Sequence, residues 1–182
     1  MFRHLVILAL LLPAHTHAET TENILQFILD DYQAECVAAQ QESMEPVSEA
    51  EDLSAVRITL DESSIYNIDI TADGKEATVL YANPSCPQIG SGWCGSSGCT
   101  SYVIVDGISF QIEGFKPVSV AVSEGSAVVI VPRSGGACVN TNGQTPSNNV
   151  SCYAVAVWDD EAKTFNSIGS GEPVFKLSDF MP

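Results

Sequence analysis

The side chains able to do chemistry here are cysteines, carboxylates and a few alcohols, and the most telling absence is imidazole. The chain has six cysteines, Cys36, Cys86, Cys94, Cys99, Cys138 and Cys152, but its histidines are only His4, His15 and His17. All three lie in an N-terminal segment expected to be removed. A mature chain without histidine has no Ser-His-Asp or Cys-His pair, no histidine base titrating near neutrality, and no histidine-ligated zinc, copper or iron. The lysines Lys75, Lys116, Lys163 and Lys176 stand in no recognisable Ser-Lys arrangement. No catalytic residue is assigned.

An even set of cysteines in an exported chain reads as disulfides, because an oxidising compartment removes free thiols. The glycines of Cys94-Gly-Ser-Ser-Gly-Cys99 can turn tightly enough to join its ends. Cys138 and Cys152 flank a polar loop at 140–149, which leaves Cys36 with Cys86. The competing reading, a redox pair at Cys94 and Cys99, fails on spacing, since thiol oxidoreductases use Cys-x-x-Cys.

Two loops could bind a ligand. Asp69-Ile-Thr71-Ala-Asp73-Gly74 places oxygen ligands at Asp69, Thr71 and Asp73 and a glycine at the bend, which is how a calcium loop begins. Leu80 and Ala77 occupy the positions where longer and shorter loops of that kind carry their closing acid, so calcium competes with a plain Asp-Gly hairpin turn. No other cofactor is suggested. The second loop, 84–100, is rich in Gly, Ser and Pro and displays Trp93 with Ser91, Ser96 and Ser97 around it. Held by disulfides, it would make a rigid tip for a protein or a glycan; alternatively Trp93 folds back to plug the sheet edge. Trp158 is expected in the core. Carboxylate pairs suit glycoside hydrolysis, but Asp61, Glu62 and the acids at 159–161 fall in turns, where acids normally face water.

These residues need elements to position them. Arg3 and His4 precede an apolar run at 5–12, then Pro13 and Thr16-His17-Ala18, the pattern of a cleavable signal peptide ending at Ala18. The run is far short of the roughly 20 residues that span a bilayer as a helix, so no membrane anchor is expected. Loss of Arg3 would leave six basic residues against 23 acidic ones, a formal charge of −17. Such a surface repels phosphate backbones and anionic lipids, which argues against nucleic acid and membrane partners.

The domain boundaries follow from composition and period. Residues 19–52 form an acidic arm. Within it, Ile24, Leu25, Phe27, Ile28, Tyr32, Ala34, Cys36 and Val37 recur at near-helical spacing and predict an amphipathic helix over 21–40, followed by a solvated connector. From 53 to 182 the period becomes two. Strands are expected at 56–60, 65–69, 77–82, 101–105, 109–112, 117–122, 127–132, 153–159 and 164–167, separated by turn dipeptides such as Asp106-Gly107 and Glu124-Gly125. Strand following strand without helices between implies a mainly β (α+β) fold, an antiparallel meander or sandwich with the N-terminal helix covering one face. The arm and the β domain should pack as one unit.

Tyr66-x-x-Asp69-x-Thr71-x-Asp73-Gly74-Lys75-Glu76, then Cys86, Trp93-Cys94-Gly-Ser-Ser-Gly-Cys99, and finally a cysteine-bounded loop before Tyr153 and Trp158-Asp159 resemble a group of small exported bacterial proteins. The likeness covers about residues 56–168 and implies an exported, disulfide-bonded, β-rich chain, with no activity to carry over. The expectation is therefore a periplasmic or secreted binding protein without enzymatic activity, for instance an inhibitor of a basic extracellular enzyme such as a lysozyme. A carboxylate-based glycan hydrolase and a structural envelope or matrix component are the alternatives.

Overall fold

A computed structural model describes residues 20–43, 55–87, 90, 92–134, 151–167 and 175–176. The expected signal peptide, most of the connector, Ser91, Cys138 and the loop at 140–149 lie outside them.

The helix α1 (Thr21–Ser43) begins where Thr20 caps it, its hydroxyl accepting the Asn23 N–H at 3.3 Å. Ile24, Ile28, Tyr32, Cys36 and Gln40, spaced by four, form its buried stripe. This stripe is narrower than the apolar pattern suggests. Phe27 and Ala34 lie about a quarter-turn or more outside it and face solvent, Phe27 with 54% of its surface exposed.

Among the described residues nine strands follow: β1 (Ile65–Asp69), β2 (Glu76–Ala82), β3 (Cys99–Val105), β4 (Ile108–Gly114), β5 (Val118–Ser123), β6 (Ser126–Ser134), β7 (Ser151–Asp159), β8 (Thr164–Ser167) and β9 (Phe175–Lys176). They pair antiparallel in two sheets, β1-β2-β3-β4-β9 and β5-β6-β7-β8. The expected helix-backed antiparallel β fold is what forms, with the sandwich as its architecture.

Alternation along the strands makes three layers. Ile68, Ala77, Val79, Val103, Val105, Phe110 and Ile112 of the first sheet meet Val129, Val131, Ala156, Trp158 and Phe165 of the second. At the centre, Phe110, Trp158 and Phe165 pack edge to face with centroids 5.1 to 5.8 Å apart, each pair adding about 0.5–1.5 kcal/mol beyond its burial. On the other face of the first sheet, Leu80, Ala82, Tyr102 and Ile104 receive Ile24, Ile28 and Tyr32 of α1. Cys36 joins Cys86 across 5.8 Å between Cα atoms, tying the helix to the chain beyond β2.

The expected strand at 56–60 is not one. Only Thr59 pairs, in a single bridge with Ser85. The reason is local: the Gln33 side chain donates to the Val56 carbonyl at 2.9 Å and accepts the Ile58 N–H at 3.0 Å, taking the place of a ladder partner. Ile58 and Leu60 alternate because they tuck against the helix cluster. A short 3-10 turn, Glu62–Ser64, capped by Asp61, then leads into β1.

The chain passes from the first sheet to the second at Gly114, whose φ of +151° and lack of a side chain are both used. A Cβ there would lie 2.5 Å from Val131 Cγ1 and 2.7 Å from the Pro132 carbonyl oxygen.

Candidate functional site

The loop between β2 and β3 is closed as spacing predicts. Cys94 and Cys99 are bonded with Cα atoms 4.4 Å apart, and Gly95 and Gly98 exchange backbone hydrogen bonds at 2.9 and 3.1 Å inside the ring. Gly98 presses directly on Gly114: a Cβ would meet the Gly114 carbonyl carbon and oxygen at 2.1 Å. The Ser134 hydroxyl adds a hydrogen bond to the Ser96 carbonyl at 2.7 Å. Cys152 is disulfide-bonded as well; its expected partner Cys138 lies outside the described residues.

Trp93 folds back onto the helix α1 and not onto a sheet edge. Its indole N–H donates to Glu35 at 2.6 Å, and its ring stands edge-on to Tyr32 at 5.5 Å. The tryptophan thus seats the loop on α1. Gly95 and Ser96 at the tip remain exposed, while Ser97 is half-buried. Burial, with the neighbouring Tyr102 hydroxyl, pushes the Tyr32 phenol well above its ordinary value, so the aromatic seat stays uncharged.

Beside this loop, the outer face of α1 carries the acidic surplus. Glu22, Asp30, Asp31, Glu35 and Glu42 are exposed, and no basic residue stands between positions 20 and 43. Phe27 lies among them, one turn from Asp30 and Asp31.

The Asp69 loop is a tight turn organised by its first residue. Asp69 Oδ1 accepts the N–H of Thr71 at 3.0 Å and of Ala72 at 2.8 Å, and Oδ2 accepts that of Gly74 at 3.2 Å. Thr71 donates its hydroxyl to Asp73. Asp69, Thr71 and Asp73 are therefore brought together, yet among the described residues no group of three or more acids, cysteines or histidines is placed to hold a metal.

The motif reading missed a charged cluster at one end of the sandwich. Lys75 pairs with Asp106 at 2.8 Å and with Asp160, and Lys163 pairs with the same two aspartates at 3.1 and 3.0 Å. The Lys75 ammonium also sits 5.4 Å from the Trp158 ring centroid. Three hairpin ends meet here. Each turn is visible in the sequence, but their meeting depends on which sheet each hairpin joins. The lysines hold Asp106 and Asp160 below the usual carboxylate range, Asp160 far below it, and Asp106 first among the partners raises Lys75. The backbone N–H of Ala162 lowers Asp159, and the Ser63 hydroxyl lowers Asp61. A general acid for glycoside hydrolysis needs the opposite shift.

No family model, no curated protein and no solved structure matches this chain. Its class rests on its own architecture: a disulfide-stapled antiparallel β-sandwich backed by one acidic helix. Among the described residues no helix is long and apolar enough to cross a membrane.

Proposed function

We propose that this chain is an exported recognition module, without enzymatic activity, whose acidic surface takes a basic protein, with basic extracellular enzymes such as a lysozyme as the leading class. One observation carries this: the acids of α1 stand exposed with no cationic partner among the described residues. Each of the five basic side chains described has an internal partner. Lys75 and Lys163 lie in the aspartate cluster, Lys116 holds Ser63, Arg133 donates to the Glu113 carbonyl and Arg57 to the Val56 carbonyl. The acids of α1, Glu22, Asp30, Asp31, Glu35 and Glu42, are exposed and enter no ion pair among the described residues, so their charge is presented outward.

Such a field speeds encounter with a basic partner, and Phe27 offers an apolar anchor within it. The Trp93 loop adjoins this face through Glu35, which supports counting the Ser96 tip in the same surface. The disulfides are compatible with a periplasmic or secreted location.

Binding and inhibition of a basic lysozyme, measured from low to physiological salt, test the proposal. Binding that weakens as salt rises is expected. No binding at micromolar protein and low salt would reject it.

A further inference from the structure

The outer face of the second sheet is unlike the rest of this acidic molecule. Val118, Val120 and Val122 of β5 are 46%, 44% and 61% exposed, and Tyr153 of β7 is 65% exposed. Val128 and Ile130 of β6 lie between them, opposite Val120 and Val118 in the register. No charged residue occurs within β5, which is also an edge strand. Edges in natural sheets are normally shortened, charged or covered. Here β8 has four residues and β1 ends in Asp69, whereas β5 has neither safeguard. Nor does β1 cover it: apart from two hydrogen bonds, Tyr66 to the Pro117 carbonyl and Ser119 to the Asp69 carbonyl, a groove of about 490 Å³ separates the two edges.

We infer that β5 pairs with the β5 of a second copy of this chain, antiparallel about a two-fold axis at Val120. The strand is self-complementary. In the order Val-Ser-Val-Ala-Val-Ser, valines alternate with small residues, and a two-fold axis perpendicular to the sheet sets positions of equal parity opposite each other. Val118 then faces the partner's Val122, and Ser119 faces the partner's Ala121. The same axis brings Lys116, just before the strand, opposite the partner's Glu124, just after it, which makes two ion pairs by symmetry. Lys116 now rests on Ser63, at 3.0 and 2.6 Å, and over the Tyr81 ring at 5.6 Å, contacts it exchanges for the partner's Glu124 on pairing.

Charge also selects the occupant. Two copies that each carry a large net negative charge approach best through a charge-free surface with matched ends, whereas a basic partner is drawn to the acids of α1. The bulge between Ala121 and Ser123 bends the far end of the strand. It limits the ladder to the stretch around Val120, so the Lys116–Glu124 pairs are contacts of the flanking chain beyond the ladder.

Sedimentation equilibrium of the oxidised, exported protein from about 10 µM to about 1 mM tests this. A monomer–dimer equilibrium that strengthens with added salt is expected, because salt screens the repulsion between like-charged copies. Val120→Lys, which sets two ammonium groups at the axis, should weaken association about tenfold or more. Lys116→Glu should also weaken it, and Lys116→Glu with Glu124→Lys should restore it, a rescue that damage to the fold would not produce. A monomer at every concentration and salt, dimerisation indifferent to Val120→Lys, or no rescue by the charge swap would each overturn the inference. The salt dependence is opposite in sign to that expected for a basic partner, so the two proposals fail separately.

Discussion

Replacing Gly98 with alanine, alongside Gly74 with alanine, separates the cost of an unusual backbone angle from that of a missing space. Both glycines have φ near +100°, +110° at Gly98 and +101° at Gly74. A Cβ on Gly74 meets nothing within 4 Å, so Gly74→Ala carries only the conformational penalty, about 1–2 kcal/mol. A Cβ on Gly98 lies 2.1 Å from both the carbon and oxygen of the Gly114 carbonyl and 2.7 Å from the Phe115 nitrogen. All three are backbone atoms. No side chain can swing aside, and Gly114 is itself wedged against Val131 and Pro132, so β3 and β4 must part by roughly 1.5 Å to reach ordinary carbon contact distance. Overpacking of this kind adds about 1–3 kcal/mol, for a total of about 2–5 kcal/mol. In a domain this size each kcal/mol lowers the melting midpoint by about 2–4 °C. Gly98→Ala should therefore melt about 4–20 °C lower and Gly74→Ala about 2–8 °C lower, followed by circular dichroism on the disulfide-intact protein. Equal midpoints for the two variants would refute the close approach of the Cys94–Cys99 loop to β4.

Three further results are expected. Replacing Cys36 and Cys86 with serine should cost about 4 kcal/mol and replacing Cys94 and Cys99 about 2 kcal/mol, since the first bond closes a loop of separation 50 and the second one of separation 5; denaturant midpoints in the reverse order would contradict the loop-entropy account. Asp69→Asn leaves one acceptor oxygen where two now take three N–H groups, and should cost about 1–3 kcal/mol. That loss should be the same with and without millimolar calcium, and a gap that widens with calcium would make Asp69 a ligand. For Lys75→Met, the deficit in melting midpoint against the unaltered protein should persist from neutral pH to about pH 4, the ordinary aspartate value. Asp106 and Asp160 have folded values below that, so the stability they contribute is present above it and lost as pH falls through the folded values. A deficit that grows on acidification would show that the cluster is held by something other than these carboxylates.

Much of the fold was readable in one dimension because period and punctuation are local. The stripe at Ile24, Ile28, Tyr32 and Cys36 needs only the helical repeat, and the hairpins at Asp106-Gly107 and Glu124-Gly125 need only residues that accept a positive φ or a tight turn. The segment at 56–60 shows the limit: it has a strand's alternation, but a glutamine amide rather than a neighbouring strand satisfies its backbone. Phe27 shows it again, since an apolar residue near a helical stripe can fall on either side, and its exposure is decided by where the sheet touches.

The sequence alone determined which cysteines could be joined across short or flexible spacings, and the structure joins Cys36 to Cys86 and Cys94 to Cys99. The tertiary structure decided where the charges go and what is left uncovered. Lys75, Lys116 and Arg133 are engaged by residues 20 to 85 positions away along the chain, a pairing that exists only once the hairpins are assigned to their sheets. The same assignment turns Trp93 onto the helix and leaves Val118, Val120 and Val122 at an open edge. Composition sets the total charge and the number of apolar groups; their distribution over the surface depends on long-range register, which no local pattern encodes.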